Sequence, residues 1–289
     1  MQVRYAASSD AWSGFRQRVK ACAAQIPGGR VCDLGGGANP TLPLKFIDKF
    51  DLKYLVADVA ESELDKLPIG YERRRLDIQQ LPTAFEGSFD LVVSRMVAEH
   101  VSDARAFHSN IFRMLSPGGT AIHFFPTMYS LPFVLNRILP HRLSERLLHQ
   151  LQPGRDAAGT HGKFPAFYRW CHGPHRRQQR RLESVGFRVE EYVGYFGHSG
   201  CLTLGDGYWD RFPLLTKFHE TFGAFLLRHP LSVLTSYACV VLKKRPPSPV
   251  RWRSLCRPKK LAPIQGHRKL RLIPRASHRP GRKTHHYHS

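Results

Sequence analysis

No two of the six cysteines, Cys22, Cys32, Cys171, Cys201, Cys239 and Cys256, stand in a C-x-x-C pair. Scattered cysteines signal neither a zinc ribbon nor a disulfide framework, and they fit a reducing, cytoplasmic compartment. Long apolar runs are missing as well. The nearest approach to a membrane span, residues 212–242, is broken by Lys217, Glu220 and Arg228, so no window reaches 18 uncharged apolar residues. The first 30 residues carry Arg4, Asp10, Arg16, Arg18 and Lys20 without a continuous apolar core, which argues against a secretory signal. No internal repeat is present. Acidic residues vanish at the C-terminal end: of 44 Lys and Arg, 15 lie from Lys243 to Ser289, and none of the 22 Asp and Glu do. The net charge of +22 is therefore mostly a property of that segment, and the preceding residues carry only about +7.

What is present is a hydrophobic fraction of 42% in 289 residues, enough for one large domain with its own core. An apolar strand runs straight into a glycine turn, Val31-Cys32-Asp33-Leu34-Gly35-Gly36-Gly37-Ala38-Asn39-Pro40, and a second strand, Tyr54-Leu55-Val56-Ala57, delivers Asp58. Glycines let a backbone turn sharply and approach a ligand closely, and an acid about 20 residues on is placed to bind ribose hydroxyls. These are parts of a nucleoside-binding βαβ unit. A dinucleotide turn starting at Gly35 needs a small residue at position 40. Pro40 stands there and disfavours a nicotinamide or flavin site.

Strand-like runs recur at Val31–Leu34, Tyr54–Ala57, Glu72–Leu76, Phe89–Ser94 and Thr120–Phe125, with helical spacing between several of them. A lead-in helix is expected around Trp12–Ala24, ended by Pro27-Gly28-Gly29. Residues Ala104–Leu115 place Phe107, Ile111, Met114 and Leu115 on one helical face, and Ser116-Pro117-Gly118-Gly119 stops it. A helix at Gln178–Val185, a Gly186 stop and strands at Phe187–Tyr195 and Tyr237–Leu242 close the pattern. Alternating strands and helices predict an α/β fold, a mostly parallel sheet covered on both faces. Insertions are expected at about 126–176 and 196–236. Beyond residue 242 the Pro-, Arg- and His-rich segment 243–289 has no apolar period and reads as a disordered tail.

Asp33-x-Gly35-x-Gly37-x-Asn39 resembles the first motif of the class I S-adenosylmethionine-dependent methyltransferases, in particular their small-molecule group. Tyr54-Leu55-Val56-Ala57-Asp58, Leu76-Asp77-Ile78, Phe89-Asp90-Leu91-Val92-Val93-Ser94 and Arg113-Met114-Leu115-Ser116-Pro117-Gly118-Gly119 follow in that family's order. The resemblance covers residues 30–125 well and the part after 175 more loosely. It implies a Rossmann-like, seven-stranded domain over residues 1–242 with its last strand antiparallel. It also implies S-adenosylmethionine as cofactor. Asp33 and the backbone of Gly35 and Gly37 would hold the methionine end, Asp58 the ribose and Asp77 the adenine amino group. Val59 and Ile78 would pack on the ring faces, and Ser94 would line the methionine end.

Independently of the resemblance, Gly35, Asp58, Asp77 and Ser94 each follow or end a proposed strand, at the edge where open parallel sheets bind ligands. Helix capping is the plainer role for Asp58 or Asp77 taken singly. For a hydroxyl acceptor a general base is useful. His100 in Met96-Val97-Ala98-Glu99-His100-Val101 is the candidate, against a plain role in orienting its helix, whereas His123 inside a strand suits the core. The first insertion carries Tyr129, Phe133, Phe164, Phe167, Tyr168 and Trp170, which suit an apolar or ring-bearing acceptor or simple packing. Basic amphipathic residues 131–151 and the apolar segment 214–227 suit a membrane surface and a lipid-linked acceptor. The histidine groupings His161, Cys171, His172, His175 and His285-His286-Tyr287-His288 lack metal-site spacing, so no metal is expected. Competing readings are an RNA methyltransferase anchored by the basic tail, a non-catalytic nucleotide-binding protein and an NAD-type dehydrogenase. Against the first, Ser94-Arg95-Met96 stands where an Asn-Pro-Pro-Tyr type signature would lie.

Overall fold

A computed structural model describes residues 1–127, 165–197 and 213–245. Expectations for Tyr129, Phe133, residues 131–151, His161, Phe164 and the tail from residue 246 lie outside the described residues. Along the chain come β1 (Gln2–Ala7), α1 (Ala11–Ala24), β2 (Arg30–Leu34), α2 (Leu44–Lys49), β3 (Lys53–Asp58), α3 (Glu61–Leu64) and β4 (Glu72–Arg75). There follow β5 (Phe89–Arg95), α4 (Ala104–Met114), β6 (Leu115–Pro126), α5 (Arg176–Val185), β7 (Phe187–Phe196), α6 (Pro213–Arg228) and β8 (Tyr237–Lys244).

The strands form one sheet in the order β1-β7-β8-β6-β5-β2-β3-β4. Strands β2 to β6 are mutually parallel, and β8 is antiparallel to both of its neighbours, β6 and β7. This is the expected Rossmann-like arrangement with one strand added. Residues 1–29 were expected to supply only a helix, yet β1 pairs in parallel with β7 from Gln2↔Glu191 to Ala7↔Phe196 and makes an eighth strand. Its position at the edge follows from pairing with a strand far along the chain, and no local periodicity announces it.

Period-2 alternation sorts each central strand between two cores. Val31 of β2, Val56 of β3 and Val93 of β5 pack with Phe15, Val19 and Ala23 of α1. Cys32, Leu34 and Val92 pack on the opposite face with Phe107, Ile111 and Met114 of α4 and Leu182 of α5. Helix α4 is amphipathic at i, i+4 and i+7, and the Asp103 carboxylate caps it by accepting from the backbone N–H of Arg105 and Ala106, both at 2.9 Å. Helix α5 ends on Gly186, in the left-handed region at φ 118°.

From β2 the chain proceeds outward through β3 and β4, then returns to β5 on the other side of β2. The reversal opens a crevice between the carboxyl ends of β2 and β5, the place where sheets of this kind bind ligands.

Candidate functional site

Asp33 lies on the α1 side of β2, 1% exposed. Its Oδ2 accepts from the Tyr54 hydroxyl at 2.6 Å and the Thr41 backbone N–H at 2.7 Å, and its Oδ1 accepts from the Thr41 hydroxyl at 3.1 Å. Tyr54 in turn accepts from the Leu42 N–H at 3.2 Å. Burial pushes the Asp33 pKa up from its ordinary value, opposed by these hydrogen bonds. The carboxylate thus closes the loop 35–42 on itself. Two of its three hydrogen bonds go to Thr41 in the loop and the third to Tyr54 of β3, so the carboxylate fixes the backbone of the turn. On the open side, Arg95 at the end of β5 donates to the Asn39 carbonyl and lies 5.6 Å over the Trp12 ring.

Gly35 sits at φ 68°, and a Cβ there would stand 2.2 Å from Cγ2 of Val97. The turn after β2 and the turn after β5 therefore touch backbone to side chain across the crevice, and no other residue fits. Met96, next to Val97, itself holds a positive φ of 58°, local strain of the kind that concentrates at functional sites. Gly37, at φ 36°, faces Asp58: a Cβ there would be 3.2 Å from Asp58 Oδ2 and 3.1 Å from Glu63 Cβ.

Asp58 ends β3 half-buried. Its Oδ1 accepts from the Ala60 N–H at 3.0 Å, a turn bond two residues on that occupies one oxygen. The N-cap position of α3 is Ala60 and carries no side-chain cap, so Asp58 is not the helix cap expected of a lone Asp. Burial is the main force raising its pKa, with the negative charges of Glu63 and Asp33 adding to it. Val59 beside it is 58% exposed, an apolar side chain held out at the rim. The Leu76 N–H donates to the Asp58 carbonyl at 2.8 Å, which brings Asp77 alongside. Asp77 Oδ1 accepts from the Gln79 N–H at 2.9 Å. Ile78 is only 8% exposed and belongs to the α4-side core.

Ser94 points into that same core. Its hydroxyl and Nδ1 of His123 are 2.8 Å apart, and both residues are buried. The Ser94 hydroxyl is therefore committed to β6, and its backbone is what reaches the rim. His123 is a core histidine, as its strand position suggested. Nε2 of His123, Nδ1 of the neighbouring His108 and, separately, Oε2 of Glu99 are buried with no hydrogen-bond partner among the described residues. Burial lowers His108 to about 3 and raises Glu99 to about 8.

His100, one-third exposed, follows β5 in the turn Ala98–His100, three residues past the Val97 that meets Gly35. Its Nδ1 is 2.7 Å from the Pro165 carbonyl. A carbonyl only accepts, so Nδ1 carries the hydrogen and Nε2 is the basic nitrogen. Nε2 lies 3.7 Å from Glu99 Oε1.

Gly35, Gly37, Asp58 and the Asp77 turn thus gather on one stretch of rim, while the Asp33 and Ser94 side chains turn inward on opposite faces of the sheet. Thr41, Tyr54, Arg95 and Glu63 were not foreseen. For Tyr54 a signal existed: the strand period places it on the same face as Val56 and hence Asp33.

The family model described as "methyltransferase domain" matches residues 8–192. The chain belongs to this family, the class I S-adenosylmethionine-dependent methyltransferases. No curated protein matches the sequence. Among solved structures, the chain is similar to a putative sarcosine dimethylglycine methyltransferase from Galdieria sulphuraria at 10% identity and a TM-score of 0.48, covering 81% of this chain and 85% of that one. It is similar to an S-adenosylmethionine-dependent methyltransferase from Mesorhizobium loti at 17% identity and a TM-score of 0.45, covering 81% and 97%. It is also similar to phosphoethanolamine N-methyltransferase 2 from Haemonchus contortus at 15% identity and a TM-score of 0.48, covering 81% and 53%.

Proposed function

We propose that this protein methylates an apolar or ring-bearing acceptor, small or lipid-linked, with S-adenosylmethionine held between the glycine turn and Asp58. The single observation that carries the reading is the placement of Gly35 and Gly37, both at positive φ, and Asp58 beside Gly37 at the topological switch point, where a Cβ on Gly35 would strike Val97 and one on Gly37 would press on Asp58 and Glu63. The backbone of Gly35 and Gly37 faces the methionine end. One oxygen of Asp58 accepts from the Ala60 N–H, and the other, beside Gly37, takes the ribose hydroxyls in this reading. Val59 offers an apolar ring contact, and Asp77 is placed to accept from the adenine amino group. Ile78, mostly buried, contributes at most an edge to that contact. Ser94 shapes the floor through its backbone. Asp33 positions the loop.

The cofactor supplies a methyl group already activated on a sulfonium sulfur. The protein's work is alignment and exclusion of water. Where the acceptor is a hydroxyl, Nε2 of His100 takes up its proton, with the Pro165 carbonyl fixing the tautomer. Phe167, 42% exposed on the segment whose backbone N–H groups bond to the Glu99 carbonyl, offers aromatic surface near this turn on the acceptor side, whereas Tyr168 is 3% exposed and packs in the α4-side core. We place the boundary of the methyltransferase domain just after β8 and treat residues beyond it as dispensable for turnover.

Incubating the protein with a cell extract and S-adenosylmethionine labelled on its methyl group tests the reading. A labelled apolar or lipid product that disappears with Asp58→Ala supports it. Label entering RNA instead, or no transfer to any compound, would refute it.

A further inference from the structure

The sheet sends both insertions out at one edge. Pro126 at the end of β6 and Tyr195 near the end of β7 are both in register with Tyr237 at the start of β8, and β6 is parallel to β5 and β2. Residues 197–236 therefore leave and re-enter the sheet on the rim that carries the glycine turn. Within them α6 buries Leu226 but exposes Leu214, Phe218, Phe222 and Phe225 by 40% or more, and Leu231 and Val233 beyond the helix are about half exposed. Phe218, Phe222 and Phe225 form a row along the helix, with centroids 6.0 and 6.4 Å apart and rings tilted by 6° and 14°. An aromatic row at i, i+4 and i+7 is the pattern of a face that is normally covered.

Charge selects what covers it. The described stretches 165–180 and 213–236 leave or approach the same rim, and they hold Arg169, Arg176, Arg177, Arg180, Lys217 and Arg228 against Glu220 alone. A second copy of this face, with six basic residues against one acidic, would bring like charges together. An anionic surface would be neutralised instead. No helix among the described residues is long and apolar enough to cross a membrane, so a helix of this kind lies in the interface plane.

We propose that α6 and the turn after it dock in the headgroup layer of an anionic bilayer and hold the cofactor rim against it, so that the acceptor comes from the membrane. The membrane source deepens the methyltransferase reading and rests on it, whereas the docking face itself stands on exposure and charge.

Flotation of the full-length protein with vesicles tests it, using phosphatidylcholine alone or mixed with phosphatidylglycerol. Changing Phe222→Ser together with Phe225→Ser leaves the charge untouched and is expected to weaken partition into the mixed vesicles on the order of 30-fold, while calorimetric affinity for S-adenosylmethionine stays unchanged. Phe225→Trp adds a reporter without removing apolar surface, and bromine-labelled acyl chains are expected to quench it. Three results would overturn the proposal: wild-type protein that ignores anionic vesicles, partition unaffected by the serine changes with no quenching of the tryptophan, or a dimer in light scattering that the serine changes dissolve without any vesicle binding. Patch-dependent flotation by a protein that does not bind S-adenosylmethionine would sink the cofactor reading and leave the docking face standing.

Discussion

At the scale of single residues, the tightest constraint is the contact of Gly35 with Val97. Gly35→Ala meets two penalties, a positive φ costing about 1–2 kcal/mol for an L-residue and a Cβ 2.2 Å from Val97 Cγ2. Truncating the partner with Val97→Ala removes the second, since Val97 Cβ would be 3.5 Å away. The double variant is therefore expected to regain part of the S-adenosylmethionine affinity that the single Gly35→Ala loses, measured by calorimetry. Equal affinities in the two variants would show that the turns do not meet as described. Removing the Asp33 carboxylate with Asp33→Ala leaves the Tyr54 hydroxyl and both Thr41 donors without their acceptor. The expected cost is about 1–3 kcal/mol per unsatisfied buried group at the upper bound, read as a lower midpoint in urea unfolding.

Buried Glu99 gives the residue scale a pH dependence. It holds its proton to about pH 8, against 4.5 for an ordinary glutamate, so the folded chain binds more protons than the unfolded one across that window. Its contribution to stability is complete below about pH 4.5 and is lost as the pH rises through about 8. His108, lowered to about 3 from 6.5, works the other way, and its loss comes as the pH falls from about 6.5. Between about 6.5 and 8 the Glu99 slope is thus isolated. Thermal melts across that interval are expected to fall less steeply with pH in Glu99→Gln than in wild type, and parallel slopes would contradict the burial of its proton.

At the scale of elements, the sequence was legible where a run is apolar, short and punctuated. The central strands β2, β3, β5 and β6 appear as such runs, and α4 appears in its i, i+4, i+7 face, because burial against a sheet imposes those periods directly. The strand β1 was not legible, since a sequence reading Gln2-Val3-Arg4-Tyr5 at an edge is made a strand by β7, about 190 residues later. The same limit applies to the site. Gly35 and Asp58 stand in a recognisable spacing, whereas the clamp of Tyr54, Thr41 and Arg95 on the loop depends on pleat direction and register, which only the assembled sheet fixes. At the element scale the cap of α4 is the simplest test. Asp103→Ala withdraws the acceptor of two backbone N–H groups and is expected to cost about 0.5–2 kcal/mol with no change in cofactor affinity, because α4 is anchored on the core face opposite Asp33.

At the scale of the whole molecule, the topology decides where chemistry sits. The chain reverses its direction across the sheet between β4 and β5, and the crevice this opens collects the glycine turn, the Asp58 turn and the Val97-to-His100 turn on one rim. Both insertions leave from that rim, so a single edge of the sheet carries the turns proposed to hold the cofactor and the exposed face of α6. The most direct measurement is calorimetric titration of the full-length protein and of Asp58→Ala with S-adenosylmethionine and, separately, with NAD. The account predicts binding of S-adenosylmethionine that weakens by about 1–3 kcal/mol in the variant and no heat with NAD. Binding of NAD in its place, or S-adenosylmethionine affinity indifferent to the loss of the Asp58 carboxylate, would contradict it.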